Sequence, residues 1–202
     1  GIGGLNGWFT VMNSGTFRGF KTTQSDSTST AASVMAVKID GKILVDSGVT
    51  PPNVPSIGST VRANPSAGLS ITSWTGTGAN ATIGHGLNAA PEFVIVKTRD
   101  SSVNWTVWHK AIAATDYLTL NTSNAKGTAA SVWNSAAPTS SVINVGTDVG
   151  TNKSGDDYVA HVFSGVEGYS AFGSYEGNGT IKPFVFTGFR PRFVMIKCIN
   201  NN

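Results

Sequence analysis

The stretch Ser73–Lys97, SWTGTGANATIGHGLNAAPEFVIVK, returns about a hundred residues later as Ser174–Lys197, SYEGNGTIKPFVFTGFRPRFVMIK. Gly68-Leu69-Ser70 recurs as Gly168-Tyr169-Ser170 at a spacing of 100, and Ser73-Trp74 as Ser174-Tyr175 at 101. The run from Pro91 to Lys97 then recurs as Pro191 to Lys197 with the spacing back at 100. An aromatic, a glycine turn, a proline and an apolar strand in the same order twice make this a duplication. A unit of about 100 residues is too long for a solenoid repeat and suits one sandwich-like domain. The first unit runs in full from about Gly68 to Val166, whereas the second has room only for its opening third before Asn202. A third of a sandwich cannot bury its own apolar face. These strands are therefore expected either to dock onto the preceding unit or to belong to a chain that continues, and continuation is the favoured reading.

Within each unit the local pattern is that of short strands. Apolar residues rarely recur at three- and four-residue spacing, and Gly or Pro interrupts nearly every window, so helix is expected only as a short piece around His109 to Thr115. Strands are expected at VMAVKID (Val34–Asp40), KILVD (Lys42–Asp46), LSITSW (Leu69–Trp74), EFVIVK (Glu92–Lys97), WTVWH (Trp105–His109), YLTLN (Tyr117–Asn121), SVINV (Ser141–Val145) and YVAHVF (Tyr158–Phe163). Each is rich in β-branched or aromatic residues and bounded by turn formers. Asp40-Gly41 is the favoured chemistry of a two-residue type I′ turn and predicts a tight hairpin over Val34–Asp46. The prolines of SGVTPPNVPS, residues 47–56, then mark a semi-rigid linker. The fold class expected is all-β, with sandwich-like domains in tandem, short antiparallel strands and little helix. Residues 1–50 form a first segment, 51–66 the linker, 67–166 the first repeat and 167–202 the start of a second.

Composition narrows the function classes. Charged residues make up 12% of the chain, against roughly 25% in ordinary soluble domains, so Ser, Thr, Asn and Gly must build the surface. Such a surface suits neutral partners such as glycans or other proteins. The net charge of +3 comes from 14 Lys and Arg against 11 Asp and Glu, scattered singly. With no basic cluster or RNP-type motif, a nucleic-acid partner is not expected. A lone Cys198 excludes an intrachain disulfide framework. No window holds the 18 or more apolar residues of a membrane-spanning helix, and no secretory signal is visible. Gly1 in place of an initiator Met reads as a processed end or the edge of a fragment.

No constellation points to catalysis, a cofactor or a metal. GTGANA (Gly76–Ala81) satisfies the G-x-G-x-x-[GA] dinucleotide pattern, but TIGHG follows in place of a helix N-terminus, so a hairpin turn is expected. His85, His109 and His161 lie far apart without metal-ligand spacing, and His161 is expected on a sheet face. There is no G-x-S-x-G nucleophile elbow. Asp156 and Asp157 are neighbours, and consecutive strand residues point to opposite faces, so they are not a glycosidase pair. The aromatic set Trp105, Trp108, Tyr117 and Trp133 is the one candidate contact surface: exposed aromatic faces stack on sugars and would form a glycan or receptor platform. Trp105 and Trp108 are three apart, so one of them is expected in the core. The N-x-[ST] triplets at Asn80 and Asn104 are what a chain rich in Asn, Ser and Thr contains by composition.

Several segments resemble a domain of bacteriophage virion proteins, especially fibre- and appendage-type proteins of marine phages. They are TGTGANATIGHGLNAAPEFVIVK, NWTVWH, YLTLNTSNA, VWNSAAPTSSVINVGT, NKSGDDYVAHVFSGVEGYSAFGSYEGNG and FVFTGFRPRFVMIK, and together they cover most of Gly68 to Lys197. SVMAVKIDGKILVDSGVT upstream is similar to the closing hairpin of a concanavalin/laminin-G-like sandwich. The resemblance carries no catalytic residues to transfer, and His161 departs from the aromatic it leads one to expect in that strand. It implies a non-enzymatic virion structural protein, a tail fibre, head fibre or decoration component. Such a protein would be assembled in the host cytoplasm, as a homo-oligomer with other virion proteins as partners and a host surface glycan as a further contact. A carbohydrate-binding module of a secreted or glycan-degrading protein is the alternative.

Overall fold

The computed structural model describes residues 55–179 and 183–200, together with the strand residues 36–39 and 42–46. The chain divides into two units, Gly1–Val49 and Thr50–Asn202. In the first, β1 (Ala36–Ile39) and β2 (Lys42–Asp46) pair antiparallel as the Asp-Gly signal predicts, with an irregular register between Val37 and Lys38. The turn itself and the rest of the expected laminin-G-like segment lie outside the described residues.

The second unit is built on a seven-stranded antiparallel sheet. Its strands are β3 (Thr60–Asn64), β4 (Leu69–Thr75), β6 (Phe93–Thr98), β7 (Thr106–His109), β8 (Asp116–Thr119), β9 (Gly127–Thr128) and β11 (Asp157–Phe163), in the order β3-β4-β11-β6-β7-β8-β9. A second, two-stranded sheet pairs β5 (Ala81–Gly84) with β10 (Val142–Val145), and Ile57 bridges to Ile83 beside it. The all-β, sandwich-like expectation holds.

β11 shows why these residues become strand. Every second side chain is buried, so Tyr158, Ala160 and Val162 face the core while Val159, His161 and Phe163 face outward. That period of two is what a sheet with one packed face selects. Both edges of β11 are used: it pairs residue by residue with β4, from Asp157 opposite Thr75 to Phe163 opposite Leu69, and with β6, from Tyr158 opposite Thr98 to Phe163 opposite Phe93. Trp74, Val94, Val96, Trp108, Tyr158, Ala160 and Val162 from this sheet pack against Ile83, Ile143 and Val145 of the small sheet. Trp74 stacks on Tyr158 with centroids 5.4 Å apart. A smaller cluster on the outer face gathers Phe93, Val107, Ile112 and Leu118, covered in part by Phe163, Phe172 and Ile199.

Three local expectations are corrected. The helix expected around His109–Thr115 is a pair of turns, in which Ile112 N–H donates to His109 and Asp116 N–H to Ala113, because β7 and β8 pair and the chain must reverse between them. The one α-helical turn among the described residues, α1 (Ala130–Trp133), sits elsewhere and caps the core with Val132 and Trp133. The Gly76–Ala81 stretch is not a hairpin turn. It carries the chain from β4 in the large sheet to β5 in the small one, two strands that do not pair with each other. A Cβ at Gly76 would stand 2.1 Å from the Lys153 carbonyl, so only glycine fits this crossing. Residues 60–64, read as part of the linker, form edge strand β3.

A few backbone conformations follow the sequence repeat. Left-handed residues recur at the duplicated positions: Gly68 (φ 62) and Gly168 (φ 73), Gly78 (φ 71) and Gly179 (φ 70), Asn88 (φ 60) and Gly188 (φ 80). Yet after β11 the described residues hold only one isolated bridge, Val166 with Ser170, and no strand.

Candidate functional site

The four aromatic candidates separate. Trp108 on β7 and Trp133 on α1 are buried in the main core, where they fill space between the sheets and present no face to a ligand. Tyr117 on β8 is half-buried against the same core, and its ring lies so close to Gly127 that a Cβ there would meet it at 2.5 Å. Trp105, just before β7, is exposed at 39%. Its N–H donates to Asn121 Oδ1 at 2.9 Å, and Asn121 Nδ2 donates to Asn104 Oδ1 at 3.0 Å, so two amide side chains order the loop that carries the ring. The structure therefore brings no four-ring platform together.

A second feature escaped the sequence because it depends on β3. An open cleft of about 300 Å³ lies where the start of β3 meets the ends of β4, β6 and β11, lined by Ser59, Thr60, Thr75, Arg99 and Asp157 over Trp74 and Tyr158. Thr75 Oγ1 donates to Asp157 Oδ1 at 2.8 Å, and Asp157 N–H donates to Asp100 Oδ2 at 2.5 Å. Its lining is polar, made of hydroxyls, one guanidinium and a carboxylate already engaged by threonine. Asp156 points to other partners, accepting from Ser101 Oγ at 2.5 Å and Lys153 Nζ at 3.0 Å, and these hold its carboxyl below the usual aspartate range. The two neighbouring acids share no target.

Elsewhere the buried polar groups serve the fold. Asn152 is fully buried and uses both ends of its amide: Oδ1 accepts from Thr77 N–H at 2.9 Å, while Nδ2 donates to Ala79 O at 2.6 Å and Gly146 O at 3.1 Å. It staples the sheet-to-sheet crossing to the loop before β11. Tyr158 Oη donates to Val149 O at 2.7 Å and accepts from Lys153 N–H at 2.8 Å, and burial pushes its phenol above its ordinary value. His85, also fully buried, accepts from Leu87 N–H through Nδ1 at 3.2 Å and faces Thr139 O through Nε2 at 3.0 Å. That pair of contacts assigns the neutral tautomer with its proton on Nε2. Among the described residues no three His, Cys, Asp or Glu side chains are grouped to hold a metal, and no helix is long and apolar enough to cross a membrane.

Burial holds the His85 imidazole below its ordinary 6.5, with the Thr139 carbonyl acting the other way. The native state therefore refuses a proton that the unfolded chain accepts, and the stability this contributes is complete above about pH 6.5 and lost as pH falls toward the native value. His109 is shifted downward too, by burial and by Lys110. Urea midpoints should fall between pH 7.5 and pH 5, and His85→Gln should flatten part of that slope. A slope unchanged by the substitution would refute the neutral assignment.

Sheet, core and polar staples together define an all-β sandwich domain in which buried Asn152, Tyr158 and His85 hold strands and loops in place. Residues 46–202 match a domain family described as a domain of unknown function, DUF7483, and the chain belongs to that family. No curated protein and no solved structure matches the chain.

Proposed function

We propose that the chain is a non-enzymatic structural module of a bacteriophage virion, part of a tail fibre, head fibre or decoration protein made of repeated β-domains and assembled as a homo-oligomer. The observation that carries this reading is the duplication in sequence of the opening third of a sandwich unit, at a spacing of 100 to 101 residues, with left-handed backbone positions that recur with it. Repetition of a rigid module is a way to build length, and a dense interstrand hydrogen-bond set resists unfolding outside a cell. A weakly charged surface rich in hydroxyls and amides supports contacts with neutral partners. The resemblance of segments over most of Gly68 to Lys197 to phage appendage proteins supports the same reading.

The test is location. Antibody raised against residues 55–200 should decorate purified phage particles in regular positions, and peptides of the chain should appear in particle proteomes at a fixed ratio to the major capsid protein. Recovery only in the soluble lysate, as a monomer, would overturn the proposal. The carbohydrate-binding reading rests on Trp105, the one candidate ring with an open face. It expects a glycan-array signal that Trp105→Ala abolishes, whereas a pure scaffold gives no signal to lose.

A further inference from the structure

The register of the large sheet gathers one set of polar side chains at its end. Thr60 of β3 stands opposite Ser73 of β4, and Thr75 of β4 stands opposite Asp157 of β11. Directly opposite residues share a face, as do strand residues two apart, so these four side chains emerge together. Arg99, just after β6, is brought beside them because its N–H donates to Asp157 O at 2.8 Å. Gly58 and Ser59, just before β3, complete the polar lining of the cleft of about 300 Å³. That volume lies at the small end of ligand sites, roughly 300–1,000 Å³.

These groups are not used up by the fold. Among the described residues, the hydroxyls of Ser59, Thr60 and Ser73 and the guanidinium of Arg99 have no hydrogen-bond or ion-pair partner, whereas buried His85, Asp116 and Asn152 each have two or more. Asp157 is engaged through Oδ1, which accepts from Thr75 Oγ1 at 2.8 Å, leaving Oδ2 to accept from a ligand. The cleft therefore presents a planar fork of donors, a carboxylate acceptor and three hydroxyls that serve as either.

Charge decides the class of ligand. Asp100 Oδ2 accepts from Asp157 N–H at 2.5 Å, so two carboxylates stand beside one guanidinium. An anion would meet net repulsion, and a cation would sit against Arg99. An apolar ligand would strip water from these groups without replacing its hydrogen bonds. A polyol meets the demand, since each of its hydroxyls both donates and accepts, and a vicinal pair matches two parallel guanidinium N–H groups.

We propose that the cleft between the start of β3 and the ends of β4, β6 and β11 binds a neutral mono- or disaccharide unit. Arg99 donates to adjacent sugar hydroxyls, Asp157 Oδ2 accepts from one, and Ser59, Thr60 and Ser73 take up the rest. The site is separate from the exposed ring of Trp105, which is not part of its lining, and it does not depend on virion location.

The experiment probes a glycan array of neutral and acidic oligosaccharides with the full chain, and follows each signal by amide chemical-shift titration with the corresponding free sugar. Binding to neutral glycans is expected, with the largest shifts at residues 58–60, 73–75, 99 and 157. Arg99→Ala should weaken it by about tenfold or more, the loss of a hydrogen-bonded charged group. A Cβ at Gly58 would meet nothing within 4 Å, so Gly58→Leu adds bulk to the cleft wall without strain and should also weaken binding. Both variants should keep the wild-type unfolding midpoint, and Trp105→Ala should bind as wild type. No signal, or a signal confined to acidic glycans, would overturn the proposal. So would a signal lost in Trp105→Ala but kept in Arg99→Ala and Gly58→Leu.

Discussion

Asn152→Ala is expected to lower the unfolding free energy by about 3 kcal/mol, measured as a shift of the urea midpoint at constant slope. Its amide closes bonds to Thr77, Ala79 and Gly146. Truncation leaves a buried N–H and carbonyls without partners and removes the tie between the β4–β5 crossing and the loop before β11. Asn152→Asp is the sharper variant. The side chain keeps its shape, but Nδ2 becomes an oxygen aimed at two carbonyl oxygens, and a carboxylate is placed where relative exposure is 0%. The loss at neutral pH should equal or exceed that of alanine and should shrink on acidification, as protonation restores one donor. Wild-type stability in either variant would mean that the crossing is held by its other contacts.

Trp133→Ala should cost about 3–5 kcal/mol, the range for removing a buried aromatic whose cavity does not collapse. The ring is 2% exposed and sits at the centre of the main cluster. The turn that carries it is tied down by Gly146 N–H and Thr151 Oγ1, which both donate to Val132 O at 3.0 Å, so the neighbouring backbone has little room to close the void. Unfolding by circular dichroism reads the effect. A loss below about 1 kcal/mol, within reach of an ordinary surface substitution, would return Trp133 to the candidates for an outward-facing contact.

How far the sequence reaches can be followed through particular elements. YVAHVF announces β11 because a sheet with one packed face imposes alternation, and Asp157–Phe163 obeys it throughout. TVRAN does not announce β3. An edge strand with both faces near solvent needs no alternation, and its side chains are almost all exposed. ATIG has a β-type pattern, but the glycines around it hide its bounds and its partner, and it is one half of the small sheet. Trp133 lies between turn formers, with no strand pattern to place it, so the sequence leaves open whether its ring faces solvent or core. The Asn152 staple joins positions 75 residues apart, and no local rule connects them. The polar cleft beside Arg99 depends on β3 and was hidden with it.

The large sheet ends in two different ways. On one side it closes with β9, only Gly127 and Thr128. On the other it ends in β3, with Arg62 and Asn64 exposed and a proline immediately after the strand. A border that is too short, or that carries charge and stops at proline, is a poor template for a neighbour's main chain. Modules bounded this way can be crowded at high local concentration without fusing edge to edge into fibrillar aggregate, leaving association to surfaces other than their borders.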